Sequence, residues 1–156
     1  MKILALALAA ALACALPAAA DPGKANAEFL ARNAKAKGVK SLPAIQYEIL
    51  RSGPADGVQP TRASTIRVRY EGRFVDGVVF DASAKGSPDG IATFPLQRLI
   101  PGWVTVLQQM RPGDEWRVVI PPDFAYGAKG KDIIPPDSIL IFKIELVEVQ
   151  PTPPTP

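Results

Sequence analysis

Apolar and polar residues alternate with a period of two in several segments after residue 44, which is the pattern of half-buried β-strands. The longest of these segments are 65–70, 115–120 and 138–149, and shorter ones occupy 45–49 and 92–94. Two further short segments, 73–75 and 78–80, flank the dipeptide Asp76-Gly77, which favours a tight β-hairpin. The pattern therefore predicts five or six antiparallel strands.

Helical spacing is confined to two short segments. The first is 26–37, with Asn26 as its N-terminal cap and Gly38 at the position of a left-handed C-terminal cap. The second is 103–110, which follows a Pro-Gly pair and lies between predicted strands. A short helix between the strands of a twisted antiparallel sheet has to cover one face of that sheet. Together these elements predict an α+β domain.

The first twenty residues have the features of an export signal. Lys2 supplies a positive charge, residues 3–16 form an uninterrupted apolar run, and Ala18-Ala19-Ala20 is a small-residue cleavage site. The run is shorter than the ~20 apolar residues that span a bilayer, so we expect cleavage before Asp21 and export of the mature chain. The alternatives are an uncleaved membrane anchor and acylation of Cys14, which Ala11-Leu12-Ala13 disfavours because it matches a lipoprotein signal poorly.

Composition removes several classes of function. The 156-residue chain has no histidine and one cysteine, which excludes a histidine-based triad, a histidine-ligated zinc site and an internal disulfide. Its formal net charge is +3, which is too small to mark a nucleic-acid-binding surface. We therefore expect no metal, no cofactor and no nucleic-acid partner.

The candidate chemistry lies in apolar side chains rather than in nucleophiles. No serine stands in a nucleophile-elbow pattern, and the pair Ser83 and Lys85 falls in a polar loop, where solvated side chains are expected. Large apolar residues nevertheless occupy connecting segments: Trp103 follows Pro-Gly, and Tyr126 and the pair 133–134 lie in a stretch rich in proline and glycine. Such residues either cap the core or line an apolar ligand pocket, and the pattern by itself leaves both readings open.

Four stretches of the chain, in order and at matching spacing, carry a resemblance to a known family. They are VRYEGRFVDGVVFDAS (68–83), ATFPLQRLIPGW (92–103), MRPGDEWRVVIPPDFAYGAKG (110–130) and IIPPDSILIFKIELVEV (133–149). These motifs resemble the FKBP-type peptidyl-prolyl cis-trans isomerases, and segment 26–50 is similar to the linker and first strand of their secreted bacterial, macrophage-infectivity-potentiator-like branch. Only about 24 mature residues precede the domain, so we expect the long N-terminal dimerisation region of that branch to be absent and the protein to be a monomer.

The resemblance implies a fold, a division of the chain and an activity. The fold would be an FKBP-like antiparallel half-barrel of five to six strands wrapped on a short central helix, with a short N-terminal helix in front. The expected division is a signal peptide (1–20), a helix and linker (21–44), the isomerase domain (45–149) and a disordered proline-rich tail (150–156). The implied activity is non-covalent acceleration of X–Pro bond rotation in exported or folding proteins of the periplasm, with rapamycin-type macrolides as inhibitors. A non-catalytic binding module and a chaperone for unfolded envelope proteins are the alternatives.

Ten pocket positions follow from the matched motifs. The resemblance implies catalytic roles for Tyr70, Phe80, Asp81, Tyr126 and Phe142, and substrate-binding roles for Leu99, Ile100, Trp103, Ile133 and Ile134. It further implies that Asp81 orients Tyr70 and that the Tyr126 hydroxyl or the Ile134 N–H donates to substrate carbonyls. Two positions depart from the family. Ala92 stands where a phenylalanine is frequent, and Lys85 lies near the position where many relatives have an arginine that pairs with the pocket acid.

Overall fold

The computed structural model describes residues 21–150 of the chain. The predicted signal peptide with Cys14 and residues 151–156 of the proline-rich tail lie outside these described residues. No helix within 21–150 is both long enough and apolar enough to cross a bilayer.

A seven-stranded antiparallel sheet dominates the fold, so the predicted α+β class is confirmed, and the sheet has one strand more than the upper end of the expected five or six. The strands are β1 (Val39–Ser41), β2 (Gln46–Arg51), β3 (Thr65–Arg73), β4 (Val79–Ala82), β5 (Ala92–Pro95), β6 (Glu115–Ile120) and β7 (Leu140–Gln150). Their order in space is β1-β2-β6-β7-β3-β4, and β5 pairs with β3 beyond this path. The additional strand is β1, whose three residues are too few to display an alternating pattern.

Strand β3 is the centre of the part of the sheet that carries the functional side chains. It pairs with β7 over its whole length, with β5 over its first half and with β4 over its second half. The β3–β4 hairpin turns at Asp76-Gly77 as predicted, with the Gly77 φ at 89° and the Asp76 carboxylate accepting from the Val78 N–H at 2.9 Å. Only glycine adopts that positive φ without strain, which fixes the turn at this dipeptide.

Helix α2 (Pro101–Leu107) packs against one face of the sheet, where it buries Trp103, Val104, Val106 and Leu107. It begins two residues before the predicted start because Pro101 occupies the first turn, where its fixed φ suits a helix and its missing N–H is not needed. The helix approaches β6 closely at Gly102, where a Cβ would lie 2.6 Å from the Ile120 Cγ2. The inward residues of β3, β6 and β7 complete this single core.

The predicted N-terminal helix is present, but both of its predicted ends are wrong. Helix α1 spans Pro22–Asn33, and Asp21 rather than Asn26 caps it by accepting from the Gly23 N–H at 2.9 Å. Asn26 instead lies inside the helix and donates to the Asp137 carbonyl at 2.7 Å. No residue of α1 is fully buried, so polar contacts of this kind attach the helix to the domain.

Candidate functional site

A cleft of about 560 Å³ opens between the start of α2, the β3–β4 hairpin and the loop that joins β6 to β7. All ten side chains predicted for the site line this one cleft, together with four that the sequence analysis did not select. The lining residues are Tyr70, Phe80, Asp81, Phe94, Arg98, Leu99, Ile100, Trp103, Tyr126, Lys131, Asp132, Ile133, Ile134 and Phe142.

Aromatic rings packed edge to face form the floor and one wall of the cleft. Trp103 is only 3% exposed, and its ring meets those of Tyr70 and Phe142 at near-perpendicular angles, with centroids 5.1 and 5.2 Å away. Phe80 in turn meets the edge of Phe142 at 5.6 Å, and Phe94 meets Trp103 at 6.3 Å. Each ring is held by at least one other, so the apolar shape of the cleft exists before any ligand arrives.

Gly72 on β3 gives two of these rings their positions. A Cβ at this residue would lie 2.6 Å from the Phe80 Cζ and 2.8 Å from the Phe142 Cε1, well inside van der Waals contact. The rings therefore lie directly over the backbone of β3, and any larger residue at position 72 would push them towards the cleft. Gly72 shapes the cleft because it has no side chain. A search of the sequence for chemical groups therefore did not select it.

The polar wall of the cleft is a hydrogen-bonded pair. The Tyr70 hydroxyl donates to Asp81 Oδ2 at 2.7 Å, and the Ala82 N–H donates to Asp81 Oδ1 at 2.8 Å. Burial of the phenol, followed by its bond to Asp81, raises the pKa of Tyr70. Burial and the negative charge of Asp81 likewise raise the pKa of Tyr126. Both hydroxyls are therefore protonated donors at neutral pH, with no tendency to act as bases.

The opposite rim of the cleft is a tight turn in residues 130–134. The Ile134 N–H donates to the Lys131 carbonyl at 2.8 Å, and the Lys131 N–H donates back to the Ile134 carbonyl at 2.9 Å. The expectation that the Ile134 N–H could serve a substrate carbonyl is therefore wrong in this conformation. The Tyr126 hydroxyl, which lines the cleft beside this rim, donates to no other residue within 21–150 and is available to a substrate carbonyl.

Comparison with known proteins identifies this architecture. The sequence pattern of the family described as FKBP-type peptidyl-prolyl cis-trans isomerase matches residues 57–147, which include all the lining residues. The chain belongs to the FKBP-type peptidyl-prolyl cis-trans isomerase family. This confirms the family that the four motifs resembled.

Bacterial FKBP-type proteins are similar to almost all of the described chain. The peptidyl-prolyl cis-trans isomerase Mip of Coxiella burnetii is 43% identical over 125 residues, which are 78% of this chain and 52% of that protein. The FKBP-type 22 kDa isomerase of Escherichia coli is 41% identical over 78% of this chain and 58% of its own length. The chain thus spans little more than half the length of these curated relatives.

Solved FKBP-type structures also superpose on the fold. FkpA from Escherichia coli gives a TM-score of 0.78 at 35% identity, covering 85% of this chain and 61% of the FkpA chain. A peptidyl-prolyl cis-trans isomerase from Pseudomonas syringae gives 0.76 at 39% identity, covering 83% of this chain and 94% of that one.

Four lining residues of the FKBP-type cleft were missed by the sequence analysis. Phe94 is the inward residue of β5 and the last letter of the ATF motif, so alternation along that strand could have identified it. Arg98, Lys131 and Asp132 are exposed and lie beside selected aliphatic residues. A search for apolar residues passes over them because they sit on the rim and contribute charge.

Lys85 does not replace the arginine that pairs with the acid in many relatives. Its Nζ donates to the Phe80 carbonyl at 3.4 Å, and among the described residues no ion pair within 4.0 Å joins it to a carboxylate. Asp81 depends instead on Tyr70 and on its own backbone segment for hydrogen bonds. The consequence is an ammonium group that is left available beside the cleft.

Proposed function

We propose that the protein is a peptidyl-prolyl cis-trans isomerase that acts by binding the prolyl amide in its aromatic cleft. The observation that carries this proposal is the convergence of ten motif-matched side chains on one preformed cavity of about 560 Å³. A proline ring fits such a cavity because it is compact and apolar and has no N–H that would need a partner.

The reaction asks little of the protein in chemical terms. Rotation about an X–Pro bond has a barrier of ~18–20 kcal/mol because amide resonance is lost halfway. No covalent bond has to form, and no proton has to leave. A planar amide is more polar than a twisted one, so an apolar site disfavours the ground state relative to the transition state. Each ~1.4 kcal/mol of this preference accelerates rotation about tenfold.

The residues would divide this work between shape and orientation. The Trp103 ring would form the floor under the proline, with Phe80 and Phe142 at its side and the aliphatic residues at 99–100 and 133–134 around its edge. The Tyr126 hydroxyl would donate to a substrate carbonyl, which keeps the peptide in register. Asp81 would hold Tyr70 in place by accepting a hydrogen bond from its hydroxyl.

A protease-coupled rotation assay on purified residues 21–156 tests the proposal directly. We expect single-exponential acceleration of cis-to-trans exchange in a Xaa-Pro-Phe peptide, proportional to protein concentration. Phe142→Ala should lower the rate at least tenfold, because it opens the wall beside the proline. Phe29→Ala, on α1 and outside the cleft, is the matched control and should retain the wild-type rate. A wild-type protein that is folded but gives no acceleration would refute the proposal.

A chaperone role is the second candidate, and a specific surface favours it. Val75 and Val78 at the tip of the β3–β4 hairpin and Ile133 on the cleft rim are exposed, Ile133 to 68%. Such exposed apolar groups suit extended segments of an unfolded chain. Suppression of aggregation of a proline-free client separates this role from isomerisation. The suppression of aggregation should persist in Phe142→Ala if the exposed surface, and not the cleft, binds the client.

Macrolide binding also belongs to this proposal. Rapamycin-type ligands present an amide that resembles a prolyl amide, and the cleft retains Trp103, Tyr126 and Phe142. Trp116 stacks on Tyr47 with centroids 4.6 Å apart and does not line the cleft, so Trp116→Phe leaves Trp103 as the one fluorescent indole. We expect saturable quenching of this variant and inhibition of rotation. No fluorescence change at saturating ligand would contradict the expectation.

We further propose export to the periplasm after cleavage before Asp21, a monomeric mature protein, and the division of the chain at residues 20, 44 and 149. The signal-like segment supports export, and one relative, 40% identical over 84% of this chain, carries the name outer membrane protein MIP in Legionella longbeachae. Helix α1 supports a monomer because Phe29 and Leu30 are its only large apolar residues. N-terminal sequencing and light scattering of the exported protein test both points.

A further inference from the structure

A second groove of about 490 Å³ continues from the cleft on the side of β5. The two cavities share three walls, Tyr70, Asp81 and Phe94. The groove exists because its outer lining is small: Ala82, Gly86 and Ala92 contribute little volume where larger side chains would fill it. A substrate peptide that leaves the cleft past Tyr70 and Asp81 would therefore enter this groove.

The loop that forms the far wall of this side groove is held in shape by its own hydrogen bonds. Ser83 is 6% exposed, and its hydroxyl donates to the Gly90 carbonyl at 2.7 Å and accepts from the Tyr70 N–H at 3.0 Å. Asp89 accepts from the Ser87 hydroxyl at 2.5 Å and from the Ile91 N–H at 3.0 Å. These bonds close the loop on both sides of Lys85, so the groove is preformed.

Lys85 is the one cation among the described residues that line the side groove. Its Nζ makes a single long contact, 3.4 Å to the Phe80 carbonyl, so most of its donor capacity is unused. The one carboxylate in the lining, Asp81, already accepts from Tyr70 and from Ala82. A positive charge without a carboxylate partner among the described residues thus lines a groove that adjoins the prolyl site.

We propose that the side groove is a substrate subsite for the residues that flank the prolyl bond, and that Lys85 selects an acidic side chain there. This inference rests on the proposed isomerase function and adds a substrate class to it: X–Pro segments with a nearby Asp or Glu. An extended peptide advances about 3.3–3.6 Å per residue, so a groove adjoining the cleft receives the first few residues beyond the proline ring on one side. The groove and the cleft are continuous because Tyr70, Asp81 and Phe94 line both.

The test is a scan of prolyl peptides that carry Glu, Gln or Lys at each of three positions before and after a constant X–Pro core. We expect one side of the core to contain a position where kcat/KM for Glu exceeds that for Gln by about two- to fivefold, the range of a solvent-accessible ion pair. Lys at that position should be the poorest of the three. The Glu advantage should shrink as ionic strength rises, because mobile ions screen such a pair.

Variants then assign the effect to the groove. Lys85→Gln should bring the Glu-to-Gln ratio to about one, and Lys85→Glu should make Lys the preferred residue. Ala92→Phe, which fills the groove and leaves Lys85 in place, should also reduce the ratio. Lys40→Gln removes an exposed lysine from β1, which lines neither cavity, and should keep the wild-type ratio.

Two results would overturn the inference while leaving the isomerase proposal intact. One is efficient rotation of the Gln peptides with no advantage for Glu at any position. The other is a Glu advantage that persists in Lys85→Gln but disappears in Arg98→Gln or Lys131→Gln, which would assign the selectivity to the rim of the main cleft. Absence of rotation on every peptide, Gln included, would refute the isomerase proposal itself and this inference with it.

Discussion

The Tyr70 hydroxyl donates to Asp81 Oδ2 at 2.7 Å, and this bond forms the ridge between the prolyl cleft and the side groove. It gives Asp81 an acceptor role and Tyr70 a fixed ring position. The raised pKa of Tyr70 is consistent with this arrangement, since burial and the facing carboxylate both oppose loss of the phenolic proton. The pair therefore supplies orientation, and neither member is set up to transfer a proton.

Asp81→Asn should lower kcat/KM by less than about fivefold, because an amide oxygen can still accept from Tyr70. The measurement is the protease-coupled rotation rate on an uncharged peptide, with circular dichroism to verify folding. Tyr70→Phe is the companion variant, since it removes the same bond from the other end and keeps the ring. A loss of more than about a hundredfold in Asp81→Asn would show that the charge itself takes part in the reaction.

The rotation rate should be nearly independent of pH between about 6 and 8. The chain has no histidine, and burial raises the pKa values of both phenols of the cleft, so these two hydroxyls stay protonated throughout this range. We expect kcat/KM to vary by less than about twofold at constant ionic strength. A bell-shaped profile would instead indicate general acid–base catalysis.

Stability should fall as the pH rises above about 10. An unfolded tyrosine ionises near pH 10, and the folded-state pKa values of Tyr70 and Tyr126 lie higher. The unfolded chain therefore loses these protons first, so the free energy of unfolding declines from about pH 10 until the folded phenols ionise too. Urea denaturation at pH 8, 10 and 11 measures the decline. The double variant Tyr70→Phe, Tyr126→Phe should give a shallower slope, and an unchanged slope would contradict the assignment.

Gly72→Ala should reduce activity more than its small size suggests. Its methyl group would come within 3 Å of both Phe80 and Phe142, so the rings have to move into the cleft. Overpacking of this kind costs about 1–3 kcal/mol of stability. The displaced wall should also lower kcat/KM about tenfold or more. Gly23→Ala adds the same methyl on α1, far from the cleft, and is the matched control. A Gly72→Ala protein with full activity would show that the rings have room to adjust.

Ser83→Ala should destabilise the protein and still leave an active enzyme. The change removes the partner of the Gly90 carbonyl and of the Tyr70 N–H, which should lower the free energy of unfolding by about 1–3 kcal/mol. We expect at least a tenth of the wild-type rotation rate, because no covalent step involves the hydroxyl. Ser138→Ala, which removes one exposed bond to the Pro135 carbonyl, should cost less stability. Complete inactivity of folded Ser83→Ala would point to nucleophilic chemistry.

The strands of this domain were predictable where one face is buried and the other is solvated. Segment 115–120 was predicted with its observed bounds because Trp116, Val118 and Ile120 all face inward. Strand β1 was missed because three residues cannot show a period. The bounds of α1 were wrong because Asp21 and Asn26 are both good caps, and the choice between them depends on tertiary contacts, including the bond from Asn26 to the Asp137 carbonyl.

The site was predictable in its residues but not in its backbone. Family motifs carry side-chain identity, so the ten cleft residues could be named from sequence. The Ile134 N–H could not be assigned, because its use depends on a turn in which Asp132 has a φ of 50° and Gly130 one of 64°. The side groove was not predicted either, although Ala92 and Lys85 were noted as departures from the family, because a volume left open by small side chains depends on how the 81–94 segment folds.

The pairing of β3 with β7 has a consequence for the nascent chain during synthesis. Thr65 lies opposite Gln150, so the central strand finds its longest partner only in the final strand of the domain. Contacts between residues so far apart in sequence form late and slowly. A nascent chain that has not yet delivered residues 140–150 therefore has an open core and cannot complete its sheet. Until those residues are made, the central strand lacks its longest partner, and an incompletely folded chain is the form in which a polypeptide can be threaded across a membrane.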